Sequence, residues 1–169
     1  MEKLNKEYID IITTIQLNPK FILAGSCALH VLGLLDRDIK DIDFNLTEPL
    51  TKEDIDVLVN EHGFILPDVE TINRTTNQAE LKKVPLDLLS NIPTIRLIKN
   101  DISVDIFNHI TVDSIININS YRVIHPSLAL KSKINYLFES SNVDTFNKVI
   151  EDFKVIIINK EKLKQYKLC

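Results

Sequence analysis

Residues 41–46, Asp41-Ile42-Asp43-Phe44-Asn45-Leu46, alternate polar and apolar with a period of two. That period belongs to a strand with one wet face and one buried face, because successive strand side chains point to opposite sides. Ile42, Phe44 and Leu46 therefore face the core. Asp41 and Asp43 share the other face, with Cα atoms roughly 6.5–7 Å apart. Two carboxylates so placed repel each other unless a cation sits between them. Magnesium suits the position, since carboxylates and substrate phosphates hold it together. Taken alone, Asp-x-Asp also fits an edge strand with a solvated acidic face.

A later segment, Ile102-Ser103-Val104-Asp105-Ile106-Phe107, puts Ile102, Val104 and Ile106 on one face and Asp105 on the other. With Thr94–Lys99 it reads as a hairpin turning at Asn100-Asp101. If this strand pairs beside residues 41–46, Asp105 joins the other two carboxylates. Three carboxylates on adjacent strands suit two-metal phosphoryl chemistry. One metal would hold a triphosphate and the other would lower the pKa of an attacking hydroxyl. Asp105, on the acceptor side, would help remove the hydroxyl proton.

The run Phe21-Ile22-Leu23-Ala24, closed by Gly25, reads as a buried strand. Ser26 then caps an expected helix of about ten residues that buries Ala28, Leu29, Val31, Leu32 and Leu35. A glycine at a strand-to-helix turn lets a ligand approach the backbone. The helix N-terminus adds free N–H groups and a positive dipole end, which together bind phosphate.

The rest of the chain frames these segments. Leu4, Tyr8, Ile11, Ile12 and Ile15 predict a helix over residues 3–16, ended by Asn18-Pro19. Thr51 and Asp54 make a capping-box-like start to a helix that buries Ile55, Leu58 and Val59 and ends near Gly63. Residues 70–80 are polar and read as a loop, in which Asn73, Arg74, Thr75 and Thr76 are candidates to line an acceptor site. Leu86, Leu88 and Leu89 mark a short helix or strand, and Tyr121–Ile124 another strand. Leu128, Leu130, Ile134 and Leu137 predict one C-terminal helix. Val143, Phe146, Val149, Ile150 and Phe153 predict a second, followed by a basic, frayed tail over Lys160–Cys169. His30, on an apolar helix, reads as a packed core histidine. The fold class is α/β (α+β): a mixed sheet packed with helices over residues 1–125, and a C-terminal helical pair over 126–169.

Composition narrows the functional classes. At 169 residues the chain suits one domain, and 44% hydrophobic with 26% charged residues argues against extensive disorder. A net charge of −4 without a basic block argues against a protein that wraps nucleic acid. Lys160, Lys162, Lys164 and Lys167 leave room for a local basic surface. Cys27 and Cys169 form no CxxC or Cys/His pattern, so neither a disulfide framework nor a zinc site is expected, and a reducing compartment fits. No apolar run approaches the roughly 20 residues of a membrane helix, and the first residues lack a signal core. The expectation is a cytoplasmic protein with no membrane partner.

The order Gly25-Ser26, Asp41-Ile42-Asp43-Phe44, Val104-Asp105-Ile106 resembles the DNA polymerase beta-like nucleotidyltransferase superfamily. Within it, the abortive-infection (AbiEii-like) group is the nearest in pattern. That group has a helix similar to Ala28-Leu29-His30-Val31-Leu32-Gly33 running to an arginine, here Arg37. It also has a later helix with a segment similar to Leu128-Ala129-Leu130-Lys131. The chain departs from the group at Ile39, where Ser or Thr is usual, and carries only Asp144 and Asp152 near the group's later acidic patch. The resemblance implies transfer of a nucleoside monophosphate from an NTP donor to a hydroxyl acceptor, with release of pyrophosphate. It implies Mg2+ (or Mn2+) held by Asp41, Asp43 and Asp105, and nucleotide contacts from Gly25, Ser26, Arg37 and Lys131. The acceptor would be tRNA or another RNA, a protein or a small molecule, the macromolecular cases matching a toxin of a toxin–antitoxin pair. A second reading keeps the fold but not the catalysis, as a module acting through nucleotide or protein binding.

Overall fold

A computed structural model describes residues 4–67, 69–72, 79–82, 92–139 and 143–166. The sequence segments become α1 (Lys6–Ile15), β1 (Phe21–Ala24), α2 (Gly25–Val31), β2 (Asp41–Leu46) and α3 (Lys52–Asp56), which continues as a π-helical turn over Val57–Glu61. Next come β3 (Val69–Ile72), β4 (Ala79–Lys82), β5 (Thr94–Lys99), β6 (Ile102–Thr111), β7 (Ile115–Ile118) and β8 (Tyr121–Ile124). Helices α4 (Pro126–Glu139), α5 (Val143–Ile158) and α6 (Lys160–Lys164) close the described chain. The class is the mixed α/β one expected. Its main sheet has six strands in the order β5-β6-β2-β1-β8-β7.

Two parallel pairings make the sheet mixed: β2 beside β6, and β1 beside β8. The β5–β6 hairpin turns at Asn100 and Asp101, both with positive φ (51° and 61°). Two left-handed residues in a two-residue turn match the right-handed twist of the strands they join. Asn and Asp adopt that conformation with less strain than most residues. The alternation read from residues 41–46 is kept: Ile42 and Phe44 are fully buried, as are Val104 and Ile106 beside them. Phe44 meets the edge of Phe21 with ring centroids 6.1 Å apart, a favoured aromatic geometry.

Sheet and helices share one buried cluster, which runs from Ile11 and Ile12 of α1 to Ala129 of α4 and Ile156 of α5. The capping box at Thr51 and Asp54 is present, and Lys20 adds an ion pair to Asp54 at 2.6 Å. The tail is anchored to the end of α2. Tyr166 Oη donates to Leu32 O at 3.1 Å and Lys162 Nζ to Gly33 O at 2.9 Å. Both satisfy carbonyls that a helix end leaves without partners.

Three expectations change. Residues 69–72 and 79–82 pair as an antiparallel ribbon instead of lying in a polar loop. Asn73, Arg74, Thr75, Thr76 and the leucines at 86, 88 and 89 fall outside the described residues. Strand β7, unexpected from the sequence, pairs with β8 across a turn at Asn119 (φ 53°); its signal was Ile115-Ile116-Asn117-Ile118 before Asn119-Ser120. The inward face of α5 is also rotated from the predicted stripe. Val149, Asp152 and Ile156 are buried, while Val143 and Phe146 are exposed. An aspartate at the centre of a buried stripe breaks the apolar pattern that periodicity reads.

Gln16 ties together β1 and β8, neighbours in the main sheet. Its Nε2 donates to Arg122 O (2.6 Å) and Phe21 O (3.2 Å), and its Oε1 accepts from Arg122 N (3.2 Å). The Arg122 guanidinium returns to Gln16 O at 2.6 Å and Asn18 O at 3.0 Å. Gln16→Leu keeps the bulk but leaves these buried backbone groups without partners, at about 1–3 kcal/mol each. Chemical denaturation is expected to give a loss of about 2 kcal/mol or more. A loss within about 0.5 kcal/mol, typical of an ordinary surface change, would mean the strands hold their register without it.

Candidate active site

Strand register builds the site. Asp43 of β2 lies directly beside Asp105 of β6. On its other side Asp43 pairs with Ala24, the last residue of β1. Asp105 in turn pairs with Arg96 of β5. Residues opposite one another on paired strands point to the same face. One lateral row across four strands therefore reads Arg96, Asp105, Asp43, Ala24, and Asp41 lies two positions along β2 on that same face.

Gly25 follows Ala24 and turns the chain into α2 with φ of +58°. A Cβ there would lie 1.7 Å from Asp43 Oδ2. Glycine is required both by the backbone angle and by the carboxylate packed against it. Helix α2 has seven residues, shorter than predicted, and no side chain caps it. Ser26 is not the cap. Glycine starts the helix, so Ser26 sits inside the first turn. There its hydroxyl accepts hydrogen bonds from Arg37 Nη2 at 3.0 Å and Lys133 Nζ at 3.1 Å.

Arg37 and Lys133 converge on a third group. Arg37 grips Asp152 with both Nε (2.6 Å) and Nη2 (3.0 Å). Lys133 Nζ reaches Asp152 Oδ2 at 2.7 Å. The Asp152 side chain is 1% exposed. Burial alone would raise its pKa, but the hydrogen bonds from Arg37 and Lys133 outweigh that and hold it below the usual carboxylate range. Two cations share one carboxylate, which leaves a surplus positive charge beside the Gly25-Ser26 turn. Arg37 therefore braces Asp152 and Ser26 by direct hydrogen bonds.

Lys131, the lysine singled out in the sequence, is solvent-exposed. Residues two apart on a helix lie about 200° apart around its axis, so Lys131 and Lys133 project from nearly opposite sides of α4. The inward lysine is Lys133, its side chain 13% exposed. Sequence reasoning missed Lys133 and Arg96 as site residues and named Asp152 only near the acidic patch of the resemblance. The only available signal was the helical phase that pairs Lys133 with Ala129, which is itself buried.

The carboxylates are strained electrostatically. Burial, then the charges of Asp41 and Asp105, push Asp43 up to about 7, with Lys133 and Lys148 pulling the other way. Beneath them Cys27 is fully buried. Burial and the charges of Asp43 and Asp41 push its thiol up, so it stays protonated and unreactive. Asp105 is turned toward Arg96, which binds both of its oxygens at 2.7 Å through Nε and Nη2. Among the described residues, no three potential ligands converge as a ready-formed metal site. The donor set nevertheless suits a hard divalent cation: Asp41 and Asp43 share one face, and a cation would relieve the repulsion that raises Asp43.

No family model and no curated protein matches the chain. A similar solved structure is a "putative nucleotidyltransferase from H. pylori", with 13% identity over 96% of this chain and 79% of that one, at a TM-score of 0.49. At that level of likeness, what the chain does has to be read from its own side chains. No helix is long and apolar enough to cross a membrane among the described residues.

Two outcomes follow from the geometry around Asp43. Its pKa is raised on folding, so the neutral form is favoured in the folded state. The stability it contributes is present at low pH and is lost as pH rises from the unfolded value of about 3.9 toward about 7. Metal-free wild type should melt progressively lower across that window, and Asp43→Asn should flatten the slope. Parallel slopes in the two proteins would contradict the raised pKa. Gly25→Ala should cost about 1–2 kcal/mol for the positive φ alone, and more as Asp43 is displaced. Chemical denaturation measures the loss, and an unchanged midpoint would contradict the close packing.

Proposed function

We propose that this protein is a metal-dependent nucleotidyltransferase, moving a nucleoside monophosphate from an NTP to a hydroxyl acceptor. The observation that carries the reading is the juxtaposition of opposite charges around Gly25. An acidic row, Asp41, Asp43 and Asp105, lies on one side. A cationic pair, Arg37 and Lys133, lies on the other, joined at the Ser26 hydroxyl. A site that takes only phosphate has no use for clustered carboxylates, and a site that takes only a cation has no use for the arginine and lysine. A metal-bound polyphosphate needs both.

Each side chain then has a role. Gly25, with its positive φ, makes the turn that starts α2 beside the acidic row. Arg37 and Lys133, both held by Asp152 and Ser26, would place positive charge beside a bound phosphate. Asp152 positions both without touching substrate. Asp41 and Asp43 would hold Mg2+ (or Mn2+), and Asp105 would complete the acceptor side. Bound divalent cations would neutralise phosphate charge and acidify the acceptor hydroxyl. In the reaction the acceptor oxygen forms a bond to the α-phosphorus of the NTP. The bond from that phosphorus to the bridging oxygen of the β-phosphate breaks, and pyrophosphate leaves with its electron pair. The acceptor proton passes to a carboxylate of the acidic row, Asp105 being the one nearest the acceptor side. The acceptor class, whether RNA, protein or small molecule, is set by surfaces beyond these residues.

Thermal unfolding with each NTP, with and without Mg2+, tests the reading. A ligand at 100 times its dissociation constant adds about 2.7 kcal/mol. At least one NTP should stabilise wild type only when Mg2+ is present, and Asp43→Asn should lose that effect. Lys133→Ala should weaken the shift, whereas Lys131→Ala should leave it intact. Equal losses from the two lysine variants would contradict the assignment of Lys133. A Mg2+-independent shift kept by Asp43→Asn would favour a module that binds nucleotide without catalysis.

A further inference from the structure

The third carboxylate is not free. Asp105 gives both oxygens to the Arg96 fork, at 2.7 Å each. A carboxylate offers about four lone-pair positions, and a bidentate guanidinium takes the two that lie in line with its fork. That arrangement explains why Asp41, Asp43 and Asp105 do not already converge on one point. Arg96 also supplies a neutralising charge at the end of the row that Asp105 and Asp43 form.

We propose that Arg96 and a divalent cation compete for Asp105, so that Arg96 closes the acceptor-side half of the metal site until it is displaced. The inference rests on the reading of the aspartates as cation ligands and adds to it a resident competitor. Three observations support an exchange over a fixed brace. The Arg96 side chain is 57% exposed while that of Asp105 is 12% exposed, so the guanidinium has open solvent to move into and the carboxylate does not. Arg96 lies on β5, an edge strand of the main sheet, whose outer side is bridged by Ile65 at Ile98. The pair is also the one contact in the charged row that is both half-exposed and bidentate. An ion pair with an exposed partner is held by little net free energy, which suits a contact that must open. Asp152, by contrast, is 1% exposed and held by two cations, as a permanent brace would be. Arg96 is thus a positioning residue that acts through Asp105.

Binding of Mn2+ to metal-stripped protein, followed by the spin resonance of the free ion, tests the exchange without any turnover. Wild type, Arg96→Lys, Arg96→Met and Asp43→Asn are compared, each first checked for a cooperative melt. Arg96→Lys keeps the charge but loses the fork, since a lysine is a point charge and cannot hold both oxygens in register. Both Arg96 variants should bind Mn2+ about two- to fivefold more tightly than wild type, or take up a further ion. If only Arg96→Met gains, simple removal of a positive charge is responsible and the proposal is overturned. If neither gains while wild type binds Mn2+ in a manner lost in Asp43→Asn, the exchange is overturned and the metal site stands. If no protein binds Mn2+ in a manner dependent on Asp43, the metal site falls and the exchange falls with it. In wild type, saturating Mg2+ should also shift the 15N resonance of Arg96 Nε. An unmoved resonance at full occupancy would again overturn the exchange.

Discussion

Two carboxylates side by side on parallel strands repel, and the arrangement around Asp43 and Asp105 answers that repulsion. The β2–β6 pairing fixes it, because it sets Asp43 and Asp105 in lateral register. Arg96 answers it at one end of the row. At the other end, Gly25 yields the space that the Asp43 carboxylate fills. Burial, and then the charges of Asp41 and Asp105, raise the pKa of Asp43. A fold selected for stability alone would place apolar or neutral residues here. Strongly perturbed carboxylates cluster at functional sites, which supports the proposed cation site.

The second charged group has the opposite construction. Asp152 is buried and fully satisfied, and it draws Arg37 from the segment after α2 and Lys133 from α4 to one point beside Ser26. Breaking such a network costs far more than a surface ion pair, because the survivor is left charged and dry. It also gives the C-terminal helices a reason to pack where they do. The phase of α5 is set by Asp152 together with Val149 and Ile156, and the tail is stitched to α2 by Tyr166 and Lys162.

Legibility in the sequence followed the physics of each segment. β2, β6 and the Asn100-Asp101 turn could be read because alternation and left-handed turn residues are local properties. The placement of Asp105 beside Asp43 was legible only as a condition, since strand pairing is a long-range fact. Gly25 was found by its position, but its stronger reason, the carboxylate against it, depends on β1 and β2 pairing. Ser26 was taken for a cap because Ser commonly is one. Its hydroxyl instead meets two cations from distant segments. Lys131 was preferred to Lys133 because a motif spacing was matched without fixing the helix phase. The site roles of Arg96 and Asp152 were hidden for a common reason. An arginine on a strand and an aspartate on an amphipathic helix look like solvated residues until their partners are in place.

The account stands or falls on which phosphorus is attacked. The direct measurement incubates the protein and Mg2+ or Mn2+ with NTPs labelled at the α- or the γ-phosphate, in the presence of total RNA and protein. Label from the α-position should enter an acceptor, label from the γ-position should leave as pyrophosphate, and Asp43→Asn should do neither. Transfer of the γ-label, or α-label transfer that survives Asp43→Asn, would contradict it.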